Sequence, residues 1–186
     1  MRELANEQAV GELIRSLQDK VRRDLAVAGR PWAVIGIKSR GETLAQRLAS
    51  TLKPDHVGSL DITLYRDDLS EVGSHAVVRT TDVRFAIDGI DVVLVDDVLM
   101  SGRSVRAALA ALTDLGRPRR VWLSVLVDRG GRELPIRADH VALDLSGDTS
   151  LSPTQRVDVL LKPFDDRDAI VVRAPSRPTV RQVTTP

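Results

Sequence analysis

Residues 92–104 run Val92-Val93-Leu94-Val95-Asp96-Asp97-Val98-Leu99-Met100-Ser101-Gly102-Arg103-Ser104. Val92 to Val95 continue a stretch from Ile90 that is apolar except for Asp91, the composition of a central strand covered on both faces. Such a strand delivers two adjacent carboxylates, Asp96 and Asp97, to its C-terminal end, where open α/β sheets bind their ligands. A short loop then places Ser101, Gly102 and Ser104 at the start of a helix, whose unpaired N–H groups and dipole suit a phosphate. Carboxylates repel phosphate, but they accept hydrogen bonds from sugar hydroxyls and attract magnesium. The matching ligand carries a diol and a phosphate on one small scaffold, which describes a ribose 5-phosphate. An acidic pair alone can be a helix cap, and Ser-Gly-Arg-Ser alone can be an ordinary turn; their union on one strand end favours a site.

Outward from this stretch, strands alternate with helices. Val10, Leu13, Ile14, Leu17, Val21 and Leu25 predict an amphipathic helix from about Asn6, stopped by Gly29 and Pro31. Ala33 to Ile37 predicts a strand, Lys38 to Gly41 a polar loop, and Leu44, Ala45, Leu48 and Leu52 a second helix. The alternation of Leu60, Ile62 and Leu64 with Asp61 and Thr63 predicts a half-buried strand. Residues 66–81 read as a long mobile arm. Beyond the acidic pair come a helix through Leu115 ended by Gly116, buried strands at Val121–Val127 and Val141–Leu145, and a terminal pair at Val157–Leu161 and Ile170–Val172. This order predicts an α/β fold, an open, mainly parallel sheet with helices on both faces. One domain, residues 1–173, is expected, followed by a disordered tail at 174–186 that is rich in Pro, Thr and Arg. Receiver domains of response regulators also end a strand in an acidic pair, but near the N-terminus and with no phosphate loop after it.

Composition narrows the chemistry. The 186 residues are 42% hydrophobic and 28% charged, ordinary for one globular domain. With no cysteine there is no thiolate nucleophile and no thiolate zinc site. His56, His75 and His140 show no ligand spacing, so no protein metal cluster is expected and all three read as non-catalytic. A net charge of +1 argues against a whole-molecule field that would draw the chain onto nucleic acid. No signal peptide or membrane span is evident, and a cytoplasmic location is expected.

The 92–104 segment resembles the phosphoribosyl pyrophosphate (PRPP) signature of type I phosphoribosyltransferases. The chain to about residue 172 is similar to the pyrimidine operon regulators that double as uracil phosphoribosyltransferases. That closer likeness rests on Ile35-Gly36-Ile37-Lys38-Ser39-Arg40-Gly41, on Leu60 through Ser70, and on Val125-Leu126-Val127-Asp128-Arg129-Gly130 with Arg132 through Asp139. It implies the type I fold with a small base-binding hood, conversion of uracil and PRPP to UMP and pyrophosphate, magnesium bound mainly through PRPP, and a homo-oligomer. By the same resemblance Asp96 and Asp97 hold the ribose hydroxyls, Ser101, Gly102, Arg103 and Ser104 hold the 5-phosphate, Val98, Leu99 and Met100 complete the substrate-binding segment, and Ser39 and Arg40 meet the pyrophosphate. Arg79 of the arm is a further phosphate contact, and Arg129 belongs to the base pocket; an arginine in such a loop is also commonly a surface ion-pair partner.

The resemblance further implies regulation by UMP-favoured binding to the leader of pyrimidine operon mRNA; Arg22, Arg23, Arg132 and Arg137 are the candidate phosphate contacts in this chain, a run of exposed arginines being otherwise a solvated face. Four positions depart from the family pattern, among them Ser101 and Ser104, which stand where threonines are common and keep the hydroxyl. Met100 replaces the usual tyrosine, and Gly131 replaces a histidine associated with RNA recognition, so leader binding is expected to be weak or absent. The alternative reading is an RNA-binding nucleotide sensor with little or no transferase activity.

Overall fold

Asn6 accepts the Ala9 N–H through its side-chain oxygen at 3.0 Å, which caps the first helix, α1, Glu7–Leu25. Its buried residues Val10, Ile14, Leu17 and Val21 recur at helical spacing and turn one stripe inward. The structure is a computed structural model that describes residues 1–25, 29–65 and 80–174. After β1, Arg2–Ala5, and α1, the chain forms β2, Trp32–Ile37, α2, Arg40–Leu52, and β3, His56–Leu60. A 3-10 turn at Thr63–Tyr65 precedes the central strand β4, Asp91–Leu99, and then α3, Arg103–Leu115. Strands β5, Arg120–Asp128, β6, His140–Asp144, β7, Arg156–Leu160, and β8, Ala169–Arg173, complete the order.

The main sheet has the order β3-β2-β4-β5-β6 and every neighbouring pair is parallel. Alternate side chains of its strands feed two cores. Val34, Val93 and Val95 pack under α1 and α2, whereas Ala33, Ile35, Val92 and Leu94 pack under α3. Each buried Val, Leu or Ile contributes about 1.5–3 kcal/mol by leaving water, so the sheet is stabilised from both faces. A second, antiparallel sheet, β1-β8-β7, forms the hood, and its Val157, Val159, Ile170 and Val172 join the α1–α2 core.

The expected α/β architecture is present, with two corrections at strand level. The strand expected across Leu60 to Leu64 lies earlier, at 56–60. Asp61 ends it: its Oδ1 accepts both the Thr63 N–H at 2.8 Å and the Thr63 hydroxyl, turning the chain so that Leu64 is 68% exposed. Strand β1 was not expected at all. The arm at 66–79 with Arg79, and the tail from 175 onward, lie outside the described residues. Among the described residues no helix is long and apolar enough to cross a membrane.

Candidate active site

The strand order reverses between β2 and β4, since β3 lies beyond β2 and β5 beyond β4. Open α/β sheets bind ligands in the crevice outside the carboxyl ends of strands at such a switch point. Here the loop after β2 and the end of β4 share one cleft of about 310 Å3, lined by Lys38, Ser39, Arg40, Asp61, Thr63, Asp96, Asp97 and Ser104 among others. Their close approach depends on two glycines. A Cβ on Gly36 would fall 2.4 Å from the Gly41 carbonyl oxygen, and one on Gly41 would fall 2.6 Å from the Val95 carbonyl oxygen. Both contacts are with backbone, so the start of α2 lies against β4 only because neither residue has a side chain.

Strand β4 continues through the acidic pair to Leu99, which holds both carboxylates on rigid backbone. Asp96 is buried, and its Oδ1 accepts the Asp97 N–H at 3.0 Å. Burial pushes the Asp96 carboxyl well above the usual carboxylate range, and the neighbouring Asp97 charge pushes it further. Asp97 is also raised by burial, although the Arg40 charge works the other way. A desolvated carboxylate pair is costly to fold and is therefore a mark of a functional site.

The other half of the cleft is assembled from two helix starts. Gly102 precedes α3 with φ +91°, a left-handed conformation that favours glycine. Ser101, Gly102 and Ser104 then line a recess of about 60 Å3 shared with Asp96, of a size for one phosphate group. Arg40 opens α2, and its guanidinium makes a two-pronged pair with Asp165, Nε to Oδ2 at 2.9 Å and Nη2 to Oδ1 at 2.8 Å. It also lies 5.2 Å from the centre of the Phe164 ring.

The remaining residues singled out from the sequence divide sharply. Leu99 is core, with its side chain 1% exposed beneath α3, while Arg103 pairs outward with Glu133 at 2.7 Å. Val98 lines the cleft, and Met100 lines the recess at the start of α3. Arg129 is no surface ion-pair partner: it is buried, and its Nη2 donates to the carbonyls of Ser152 and Gln155. Arg132, expected to meet RNA, is engaged through all three guanidinium nitrogens. Nε donates to the Ile136 carbonyl at 2.8 Å, Nη1 to the Met100 carbonyl at 2.8 Å, and Nη2 to Asp128. These bonds turn it inward, onto the loop after β4 through Met100 and onto the end of β5 through Asp128. Arg22 is paired with Asp19. Arg23 and Arg137 do come together, on the wall of a separate concavity of about 720 Å3.

Sequence reasoning missed three contributions. Glu133 and Leu134 each donate a backbone N–H to the Ser101 carbonyl, at 3.0 and 3.1 Å, so the 132–136 segment braces the loop between β4 and α3. Asp61 and Thr63 reach the cleft from the end of β3. Asp165 grips Arg40 from 125 positions away. The first two had a signal in the sequence, the runs from Arg132 and from Leu60 that carry the family resemblance, whereas Asp165 had none.

Comparison with known proteins agrees with this geometry. A phosphoribosyl transferase domain model matches residues 1–154. The chain is 46% identical to the bifunctional protein PyrR of Desulfosudis oleivorans over 88% of this chain and 90% of that protein. It is 52% identical to the bifunctional protein PyrR of Chloroflexus aurantiacus, over 77% of this chain and 79% of that one. Among solved structures, the hypoxanthine phosphoribosyltransferase of Trypanosoma cruzi shares the fold with a TM-score of 0.65 at 18% identity, over 95% of this chain and 98% of that chain. A cleft at the switch point, built from an acidic pair and two helix starts, on a chain this similar to those relatives, places it in the PyrR family of phosphoribosyltransferases.

Proposed function

We propose that the chain transfers the phosphoribosyl group of PRPP to uracil, giving UMP and pyrophosphate. The observation that carries this reading is the single cleft in which the acidic pair, the start of α2 and the start of α3 converge. As the bond from ribose C1 to pyrophosphate lengthens, positive charge gathers on the ribose and negative charge on the leaving oxygens. Ionised Asp96 and Asp97 accept the ribose hydroxyls and offset the first charge. Arg40, Ser39 and the first amides of α2 take up the second. Ser101, Ser104 and the first amides of α3 hold the 5-phosphate, so the ribose is fixed at both ends while uracil N1 attacks C1 and its proton passes to the departing pyrophosphate or to solvent. Alignment and charge stabilisation of this kind require no protein nucleophile. Arg129 contributes by fixing the Ser152–Gln155 loop in front of β7.

Magnesium fits such a site as an ion carried by the ligand. Among the described residues no group of three or more carboxylates and histidines stands ready to cage a metal, and magnesium is commonly held by one or two carboxylates plus substrate phosphates. When bound it would neutralise pyrophosphate charge, with Asp61, Asp96 and Asp97 as the acidic groups that line the cleft. The test is a product assay with PRPP, magnesium and a panel of nucleobases. UMP from uracil alone is expected. No product with any base would leave the RNA-binding sensor as the better reading, and product from a purine would overturn the base assignment.

Contact with RNA phosphates would fall on the 720 Å3 concavity between α1 and β6, where Arg23 and Arg137 have no hydrogen-bond or ion-pair partner among the described residues. Asp24, Asp128, Asp139 and Asp144 line the same wall and oppose a polyanion, and Gly131 offers no side chain for a base. We expect salt-sensitive binding of similar strength for the pyrimidine operon leader and for a scrambled hairpin, reduced for both by Arg137→Ala. Nanomolar binding that prefers the true leader and tightens with UMP would contradict this.

A further inference from the structure

Arg40 and Arg47 stand seven residues apart on α2, two turns along one face, and each meets a carboxylate from the 161–168 turn that joins β7 to β8. Arg47 pairs with Asp168 and also donates to the Lys162 carbonyl at 2.7 Å. That fork bolts the turn to the helix away from the cleft. The second fork is different in kind, because Arg40 lines the cleft and faces the Asp97 charge.

We propose that Asp165 is a positioning residue for the pyrophosphate site, gripping Arg40 by one edge so that its other edge is presented to the leaving group. Asp165 occupies Nε and Nη2, whereas Nη1 has no protein partner among the described residues. Asp165 is itself held independently of Arg40. Its Oδ2 accepts the Leu161 N–H at 2.9 Å, and its own N–H donates to the Leu161 carbonyl at 2.8 Å. The Phe164 ring lies against the guanidinium and limits its rotation. Arg40 thus enters the reaction already oriented, and its ordering is not charged against ligand binding. This inference rests on the reading that PRPP occupies the cleft.

The test compares wild type with Asp165→Asn, Asp165→Glu, Asp168→Asn, Arg40→Ala and the Arg40→Ala/Asp165→Asn pair. The readouts are kcat, the KM for PRPP, inhibition by inorganic pyrophosphate with magnesium, and melting temperature. Asp165→Asn is expected to raise the PRPP KM and the pyrophosphate inhibition constant about tenfold, the lower range for loss of a partner that orients a ligand-binding group, with a smaller change in kcat. Asp165→Glu, which keeps the charge but lengthens the arm, should fall between the two and carries the test if the Asn variant folds poorly. Asp168→Asn should lower the melting temperature and leave KM unchanged. The double variant should be no worse than Arg40→Ala, since both act through one group. An unchanged KM in Asp165→Asn would overturn the proposal. So would a lowered one, which would mean that Asp165 withholds Arg40, or an equal rise in Asp168→Asn, which would mean that either fork acts only on the fold. Failure of the wild type to use PRPP would instead remove the reading beneath it.

Discussion

Replacing Asp96 and Asp97 together by asparagine is expected to abolish UMP formation while leaving the protein at least as heat-stable as wild type. Asparagine keeps the shape and the Oδ1 acceptor that Asp96 offers to the Asp97 N–H, so the backbone at the end of β4 has no reason to move. What disappears is negative charge. Loss of one group that stabilises developing charge costs about 10²–10³ in rate, and two adjacent ones should cost at least that. The stability effect has the opposite sign, because burial holds both carboxyls above their usual range and their ionisation opposes folding. Between the usual carboxylate range, near pH 4, and the raised value in the fold, the folded chain carries a proton that the unfolded chain has lost. Stability from this pair is therefore greatest at low pH and declines as pH rises through the folded value. Ligand binding runs the other way: ribose hydroxyls favour the ionised acceptors, so the PRPP KM should rise as pH falls into that window. Circular dichroism melts and initial rates over a pH series would decide it. Normal rates in the double variant, or a melting temperature well below wild type, would remove the acidic pair from its role.

The acidic pair and the phosphate loop were legible because everything they need is contiguous. An apolar run, two carboxylates and a Ser-Gly-Arg-Ser helix start occupy 13 consecutive residues, 92–104, and strand-to-helix geometry does the rest. The β3 strand was misplaced because Leu60 and Ile62 are buried at 0% and 5%, as alternation requires, but in two different settings. Leu60 ends the strand, and Ile62 lies in the turn that Asp61 makes. Strand β1 was invisible because it is a four-residue hood edge with only Ala5 buried, and such an edge needs no apolar period. Its pairing with β8 joins residues more than 160 positions apart.

The long-range forks have the same limitation. Nothing near Arg40 in sequence indicates Asp165, and nothing near Arg132 indicates that it will spend its donors on Ile136, Met100 and Asp128. A loop arginine is ordinarily solvated, so its inward use is set by tertiary contacts. Two of the departures from the family pattern, Met100 and Gly131, also turn out to be neighbours. A Cβ on Gly131 would lie 3.8 Å from Met100 Cγ, a proximity that separation in sequence conceals.

Gly41→Ala should damage stability and activity together, in contrast to the acidic pair. The added methyl would stand 2.6 Å from the Val95 carbonyl oxygen and 3.2 Å from the Asp96 Cα. Neither atom can swing aside, because both belong to the backbone of the central strand, which is bonded to β2 on one side and β5 on the other. The start of α2 must withdraw instead, and Arg40 and Ser39 go with it. Overpacking of this sort costs about 1–3 kcal/mol, and each kcal/mol lowers the melting temperature by about 2–4 °C in a domain of this size. Displacement of the pyrophosphate loop relative to Asp96 should lower kcat/KM by about 10²-fold, the penalty for roughly 1 Å of misalignment. Gly147→Ala is the matched control, since a Cβ there meets nothing within 4 Å, and it should be neutral in both measurements. A Gly41→Ala protein with wild-type kcat/KM would show that the cleft tolerates separation of β4 from α2. That result would uncouple the pyrophosphate loop from the acidic pair and leave Asp96 and Asp97 to act without Arg40 beside them.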